Sequence, residues 1–310
     1  MRGRLDGVLL DIWVGIDGGG TGTTAVALDD TGAVVARVKG GPALVDPLAP
    51  LRGVDALGDL ARHVLDEAGI SGTAAGLCCA LAGAGRQAVR DALGSGLEAR
   101  GVARRVSVIG DAEAALADAF RGGAGALLIA GTGSAAWARD VSGRRVRAGG
   151  WGLLLGDEGS GYAIGLAALR EVVRAADGRA PRTELTQCIL HAVHAKAPED
   201  LIPWTAAAEK SAIAALAPLV IAVAAGDARA DFIVEHAVVE LAQQVQAVVE
   251  RTMPWKDPIN VAFAGGLIAP GRSLRDRTWN AVRSLAFDFQ LREDPVDAAR
   301  GAAHIARDGA

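Results

Sequence analysis

Apolar positions along this chain come in short runs, and clusters of glycine punctuate them. Residues 12–16 form one run, which ends in Asp17-Gly18-Gly19-Gly20-Thr21-Gly22, and residues 23–28 resume with β-branched and small side chains. Asp29-Asp30-Thr31-Gly32 is a turn signal, and a further apolar segment covers 34–38. Short runs between turn residues predict three antiparallel strands with a glycine-rich first turn. Beyond them, helical spacing covers 51–68 and 86–97, with buried strands at 75–80 and 106–109, and Asp111 opens a helix to Phe120. Gly122-Gly123 reads as a domain boundary.

The pattern then starts again. Residues 127–130 lead into Gly131-Thr132-Gly133-Ser134, followed by 135–139, the turn Asp140-Val141-Ser142-Gly143, and 145–148. An ungapped offset of 111 positions carries Gly20 onto Gly131, Asp29 onto Asp140 and Thr31-Gly32 onto Ser142-Gly143. Two matched clusters at one offset predict an internally duplicated domain, each half opening with a glycine-turn hairpin. On that offset Leu128 stands where the first copy has Asp17. The remainder is mostly helical: 162–175, then a long helix from an Asp227 N-cap to about Arg251, with Ile233, Val234, Ala237, Val238, Leu241, Val245, Val248 and Val249 on one stripe. A strand at 259–264 ends in Gly265-Gly266, a helix covers 272–284, and Pro295 starts a last helix at 296–306.

Composition narrows the classes. The 310 residues are 51% apolar and 22% charged with net charge −4, and no dense Lys/Arg block marks a nucleic-acid surface. The three cysteines, Cys78, Cys79 and Cys188, show no C-x-x-C spacing and make a poor disulfide framework, so a reducing cytoplasm is expected. Arg2 and Arg4 precede a short apolar stretch that Asp6 and Asp11 interrupt, which is not a signal peptide. The longest apolar run, 212–225, holds Pro218 and has 14 residues against the roughly 20 a membrane span needs, so it reads as a buried helix.

The glycine turns carry the candidate chemistry. Glycines let several backbone N–H groups converge on one anion, and Thr or Ser hydroxyls add donors. Gly18, Gly19, Gly20, Thr21, Gly22 and Thr23 have that composition, as do Gly131, Thr132, Gly133 and Ser134; two such turns in register predict a phosphate clamp, against the plainer reading of hairpin turns. There is no P-loop motif, and a glycine run leading into a strand is not a dinucleotide fingerprint. Only four lysines occur, Lys39, Lys196, Lys210 and Lys256, none within either turn. An acid beside a phosphate loop then calls for Mg²⁺ as neutralising charge, with Asp17 as its holder unless it is a turn former. Asp111 follows a strand at its carboxyl end, where α/β sheets bind ligands; a carboxylate there can deprotonate an attacking hydroxyl, or cap its helix, or both. Gly149-Gly150-Trp151-Gly152 through Gly156-Asp157-Glu158-Gly159-Ser160-Gly161 can hold acids against a polyhydroxylated ligand.

Taken in order, segments 16–24, Gly110-Asp111-Ala112, 131–134, 150–165 and Ala264-Gly265-Gly266 resemble the BadF/BadG/BcrA/BcrD-type ATPases, the branch of the actin and sugar-kinase superfamily that contains N-acetylglucosamine kinase. The resemblance implies a duplicated, actin-like (ribonuclease H-like) α/β fold with a nucleotide cleft between an N-terminal lobe (1–120, plus a C-terminal helix at 295–308) and a C-terminal lobe (121–294). It implies ATP and Mg²⁺ as cofactors and phosphorylation of an amino sugar, N-acetylglucosamine or glucosamine, at the 6-hydroxyl. Asp17–Thr23 and Gly131–Ser134 become the two phosphate motifs and Gly265-Gly266 the adenosine motif. Asp111 becomes the catalytic base, Asp157 and Gly150 substrate contacts, and a homodimer is an option. The chain departs from the family at Gly22, where Lys or Arg is common, and at Ala135 and Gly41-Pro42-Ala43-Leu44-Val45, where the eukaryotic kinases place sugar-binding Asn and Trp. Two other readings stay open: an ATPase that activates a CoA-ester reductase or dehydratase through an iron–sulfur cluster, and a non-catalytic nucleotide-dependent regulator.

Overall fold

The computed structural model describes residues 3–5, 8–20, 22–43, 45, 49–256 and 258–309. Thr21 and Leu44, like Arg2 and Asp6, lie outside the described residues. The chain divides into two compact units, Met1–Gly122 with Val296–Ala310, and Gly123–Pro295.

The first unit begins with a small antiparallel hairpin, β1 (Gly3–Leu5) and β2 (Val8–Leu10), which the sequence pattern did not announce. Its main elements are β3 (Trp13–Gly18), β4 (Thr23–Leu28), β5 (Val34–Gly40), α1 (Val54–Glu67), β6 (Gly76–Leu81), α2 (Gln87–Ala99), β7 (Val106–Ile109) and α3 (Asp111–Phe120). The sheet order is β5-β4-β3-β6-β7, antiparallel through β3–β5 and parallel from β3 to β7. Val14, Ile16, Leu77 and Cys79 face the apolar stripes of α1 and α2, because strand side chains alternate between faces.

The second unit repeats the plan. It runs β8 (Gly125–Ala130), β9 (Ser134–Arg139), β10 (Arg145–Gly149), α4 (Gly161–Ala176), α5 (Glu184–Ala192), α6 (Leu201–Ala207), α7 (Lys210–Ala214), α8 (Ala217–Val223), α9 (Ala228–Glu250), β11 (Ile259–Ala264), α10 (Ser273–Arg283) and β12 (Phe289–Leu291). Its sheet order, β10-β9-β8-β11-β12, matches the first with the same parallel and antiparallel senses. The apolar run expected as one buried helix is two short ones, α7 and α8. Pro218, in the first turn of α8, has no N–H to continue a helix from α7 but suits a helix start. Asp227 caps α9 through Arg229 N and Ala230 N, and the α9 stripe is buried as its period requires.

The last helix, α11 (Ala298–Asp308), belongs to the first unit. It starts two residues later than expected because Asp297 supplies the cap, accepting from Arg300 N. Its small residues let it lie almost against bare backbone. A Cβ at Gly15 of β3 would sit 2.1 Å from Ala299 O, and one at Gly301 would sit 2.0 Å from Ala114 O in α3. Asp118, fully buried in α3, takes Arg300 in a forked ion pair (2.6 and 2.9 Å) and accepts from Asp297 N, which pins the helix start.

The offset of 111 holds for β4 against β9, Thr23–Leu28 against Ser134–Arg139, but not across the glycine turns. In the first unit Gly18 pairs with Thr23, leaving residues 19–22 in the turn; in the second Ala130 pairs with Ser134, leaving 131–133. The second turn is one residue shorter, so an ungapped alignment slips there. Asp17, which pairs with Thr24, corresponds to Ile129, which pairs with Ala135, and not to Leu128.

Candidate active site

In the first unit, β3, β6 and β7 are parallel, so their carboxyl ends share one sheet edge. Asp17 stands near the end of β3 and Asp111 just after β7, two strand spacings apart, roughly 10 Å. The glycine turn is closed by Gly19 N donating to Gly22 O (3.1 Å). Neighbouring loops hold it: Ala43 N reaches Gly19 O, Ala82 N reaches Gly18 O, and the Thr23 hydroxyl donates to Gly41 O at 2.6 Å. An added Cβ on Gly20 would meet no described atom beyond its chain neighbours within 4 Å, so that face of the turn is open among the described residues.

Asp111 is exposed and does not cap its helix. Gly110 takes the cap position, Glu113 reaches back to Gly110 N (3.3 Å), and the Asp111 carboxylate accepts only from the adjacent Ala112 N among the described residues. This leaves oxygen lone pairs turned outward. Burial, then the negative charges of Asp111 and of Asp297, push the Asp17 carboxyl up to about 6. Asp297 had no place in the sequence reading, although an aspartate just before an alanine-rich helical stretch is a cap signal; its carboxylate also pairs with Arg37. The first unit therefore gathers three carboxylates around its glycine turn.

The second unit's turn is gripped from inside. Gly131 N donates to Gly133 O (2.9 Å), Gly161 N to Gly131 O (2.8 Å) and Tyr162 N to Thr132 O (3.3 Å), which seats the turn on the start of α4. Ser134 N donates to Asp157 Oδ1 (3.3 Å), and the Ser134 hydroxyl donates to Glu158 O (2.6 Å). Gln244, a polar residue in the buried stripe of α9, donates to Ser134 Oγ and Glu158 O. Asp157, only 4% exposed and with φ of +61°, gives its other oxygen to Lys210 Nζ at 2.5 Å. A lysine thus does come to this turn, through a contact spanning 53 residues that sequence proximity hid. Gly150 turns through left-handed backbone (φ +69°) beside Ala135. Gly265 packs on the end of β8, where an added Cβ would lie 2.3 Å from Ala130 O, while Gly266 is open.

In the first unit the structure groups Asp17, Gly18, Gly19, Gly20, Gly22, Thr23 and Asp111. In the second it groups Gly131, Thr132, Gly133, Ser134, Gly150, Asp157, Gly265 and Gly266. Among the described residues no three His, Cys, Asp or Glu side chains are placed to ligate a metal ion, and no single helix is long and apolar enough to cross a membrane.

Two sheets of identical order, each with a glycine turn after its central strand, define the two-lobed actin-like fold of ATPases and sugar kinases. The model of the BadF/BadG/BcrA/BcrD ATPase family matches residues 14–306, and the chain belongs to that family. It is 33% identical over 259 residues to an N-acetylmuramic acid/N-acetylglucosamine kinase of Clostridium acetobutylicum, covering 82% of this chain and 85% of that one. It is 29% identical to an N-acetyl-D-glucosamine kinase of Dictyostelium discoideum over 96% and 98% of the two chains. A solved structure from Chromobacterium violaceum, assigned as an N-acetylglucosamine kinase, superposes with a TM-score of 0.78 at 28% identity over 96% and 99%.

Proposed function

We propose that this chain is an ATP-dependent amino-sugar kinase that acts on N-acetylglucosamine or a close relative at its 6-hydroxyl. Asp111 carries the reading: an exposed carboxylate at a parallel-strand end, on the same sheet edge as a phosphate-type glycine turn. As the sugar oxygen attacks the γ-phosphorus, Asp111 takes the hydroxyl proton, the new O–P bond forms, and the bond to the β-phosphate oxygen breaks to release ADP. The glycine turns present backbone N–H groups to the phosphates. Mg²⁺, a hard cation, would suit the Asp17 and Asp111 oxygens, and when bound would supply charge neutralisation for the phosphates. Asp157, with its oxygens on Ser134 and Lys210, acts in this reading as a brace of the second turn.

The activator reading needs thiolates free to bind a cluster. Burial pushes the Cys78 thiol up to about 12 and raises Cys79 well above its ordinary value, and both lie inside β6. Those thiols are unsuited to that chemistry.

The test is ADP release with ATP and Mg²⁺ over glucosamine, N-acetylglucosamine, N-acetylmuramic acid and glucose. The reading expects sugar-dependent release that favours an N-acetylated amino sugar. ADP release indifferent to every sugar would overturn it.

A further inference from the structure

Arg90, on α2, ties the loop after β6 to the start of α3. Its Nε donates to Ala84 O at 2.7 Å, and its Nη1 lies 3.0 Å from Glu113 Oε1. That same Glu113 oxygen accepts from Gly110 N, the residue directly before Asp111. On the other side, Ala84 N bonds Leu81 O, and Ala82 N bonds Gly18 O at the first glycine turn. A continuous polar chain therefore runs from the turn, through the β6 loop and Arg90, to the peptide that carries Asp111. Both side chains of the ion pair are largely covered, 24% and 18% exposed. A guanidinium can serve two acceptors in fixed directions, which a lysine ammonium on a flexible stem does not reproduce.

We propose that Arg90 is a positioning residue, setting the distance between the Asp111 carboxylate and the first glycine turn. This rests on Asp111 as the proton acceptor. Misplacing a reacting group by about 1 Å costs on the order of 10²-fold in rate. Arg90→Gln should therefore lower kcat by roughly 10- to 100-fold while KM for ATP stays unchanged, because the turn itself is held by other bonds. Arg90→Lys, which keeps the charge opposite Glu113 but not the fork, should recover part of the loss.

The decisive experiment measures kcat and both KM values for Arg90→Gln alone and combined with Asp111→Asn. If Arg90 acts through Asp111, the substitution costs less than about two-fold once the carboxylate is gone, a non-additivity that coupled residues show. A full-sized further loss in the Asp111→Asn background would overturn the proposal, as would wild-type kcat in Arg90→Gln. Wild-type turnover by Asp111→Asn alone would instead sink the base assignment, and the positioning role with it. Should Arg90→Gln unfold early, Glu113→Gln carries the same test, since its amide oxygen still accepts from Gly110 N while the ion pair is lost.

Discussion

The two glycine turns have nearly the same composition and are held in opposite ways. In the second unit the turn sits on the start of α4 and is stitched below by Asp157, Lys210 and Gln244. In the first unit, among the described residues, loop backbone and the Thr23 hydroxyl hold the turn, and acids lie nearby. At the equivalent strand ends the contrast is one of charge. Asp17 is matched by Ile129. The repeated plan gives each unit one glycine turn after its central strand. The difference is one between a turn braced by side chains and a turn with carboxylates beside it.

The largest effect expected follows from that asymmetry. Asp111→Asn should cut turnover by roughly 10²–10⁴-fold with little change in ATP affinity, because only proton transfer is lost. Coupled kinetics with an independent ATP titration checks it, and near-wild-type turnover would place the chemistry elsewhere. The next comparison is between glycines. Gly133→Ala drives a Cβ to 2.9 Å from Asp157 Oδ1, so it should destabilise by about 1–3 kcal/mol and slow turnover. Gly20→Ala meets no described atom beyond its chain neighbours and should leave the unfolding midpoint within about 0.5 kcal/mol of wild type. Any loss of nucleotide affinity in Gly20→Ala then reports on the ligand, not the fold. Equal destabilisation by the two substitutions would erase the distinction between braced and open turns.

Much of the plan was legible because it is local. The spacing of apolar runs placed α3 at Asp111–Phe120 and β11 at Ile259–Ala264, and the cap signal at Asp227 set the start of α9. The repeat emerged from turn chemistry, since Asp-x-Thr/Ser-Gly fixes a loop within five residues. What stayed hidden is long-range. Lys210 meets Asp157, Arg90 meets Glu113 and Gln244 meets Ser134 across 53, 23 and 110 residues, and no periodicity encodes such partners. The one-residue difference between the turns escaped because the Gly-Thr-Gly pattern aligns without a gap, whereas strand pairing requires one.

Asp17 offers a smaller, pH-dependent effect. Its carboxyl is raised to about 6, against an unfolded value near 3.8, so the folded state holds its proton more tightly. Stability from this group therefore falls as pH rises from about 4 to 6, and the penalty is complete above 6. Asp17→Asn removes that slope. Its stability relative to wild type should rise from near zero at pH 4 to on the order of 1–2 kcal/mol at pH 7, less than the full shift because the group is partly solvated. Mg²⁺ should narrow the gap by stabilising the wild-type carboxylate, and the variant should need more Mg²⁺ for turnover. Denaturant melts at both pH values, with and without Mg²⁺, measure each part; a flat difference would remove the carboxylate cluster as its source.

The smallest effects belong to the turns where the two units agree. Asp29 Oδ1 accepts from Thr31 N (2.9 Å), the Thr31 hydroxyl (2.7 Å) and Ala33 N (2.9 Å); Asp140 Oδ1 accepts from Ser142 N (2.8 Å), the Ser142 hydroxyl (2.6 Å) and Arg144 N (3.0 Å). Gly32 and Gly143 follow with φ of +85° and +87°, a conformation that favours glycine. Both carboxyls are held below their ordinary range. At Asp29 a burial contribution that raises the value is outweighed by the Thr31 hydroxyl and the backbone amides; at Asp140 the Ser142 hydroxyl leads. A depressed carboxylate contributes stability above its unfolded pKa and loses it as pH falls toward the folded one, so the contribution is present at neutral pH and fades in acid. Asp29→Asn and Asp140→Asn keep an accepting oxygen and lose only the charge. Each should lower the melting temperature slightly at pH 7, by equal amounts, and the deficit should vanish toward pH 3. Unequal shifts would show that these loops, alike in every bond above, have been drawn apart by their surroundings, as the glycine turns have.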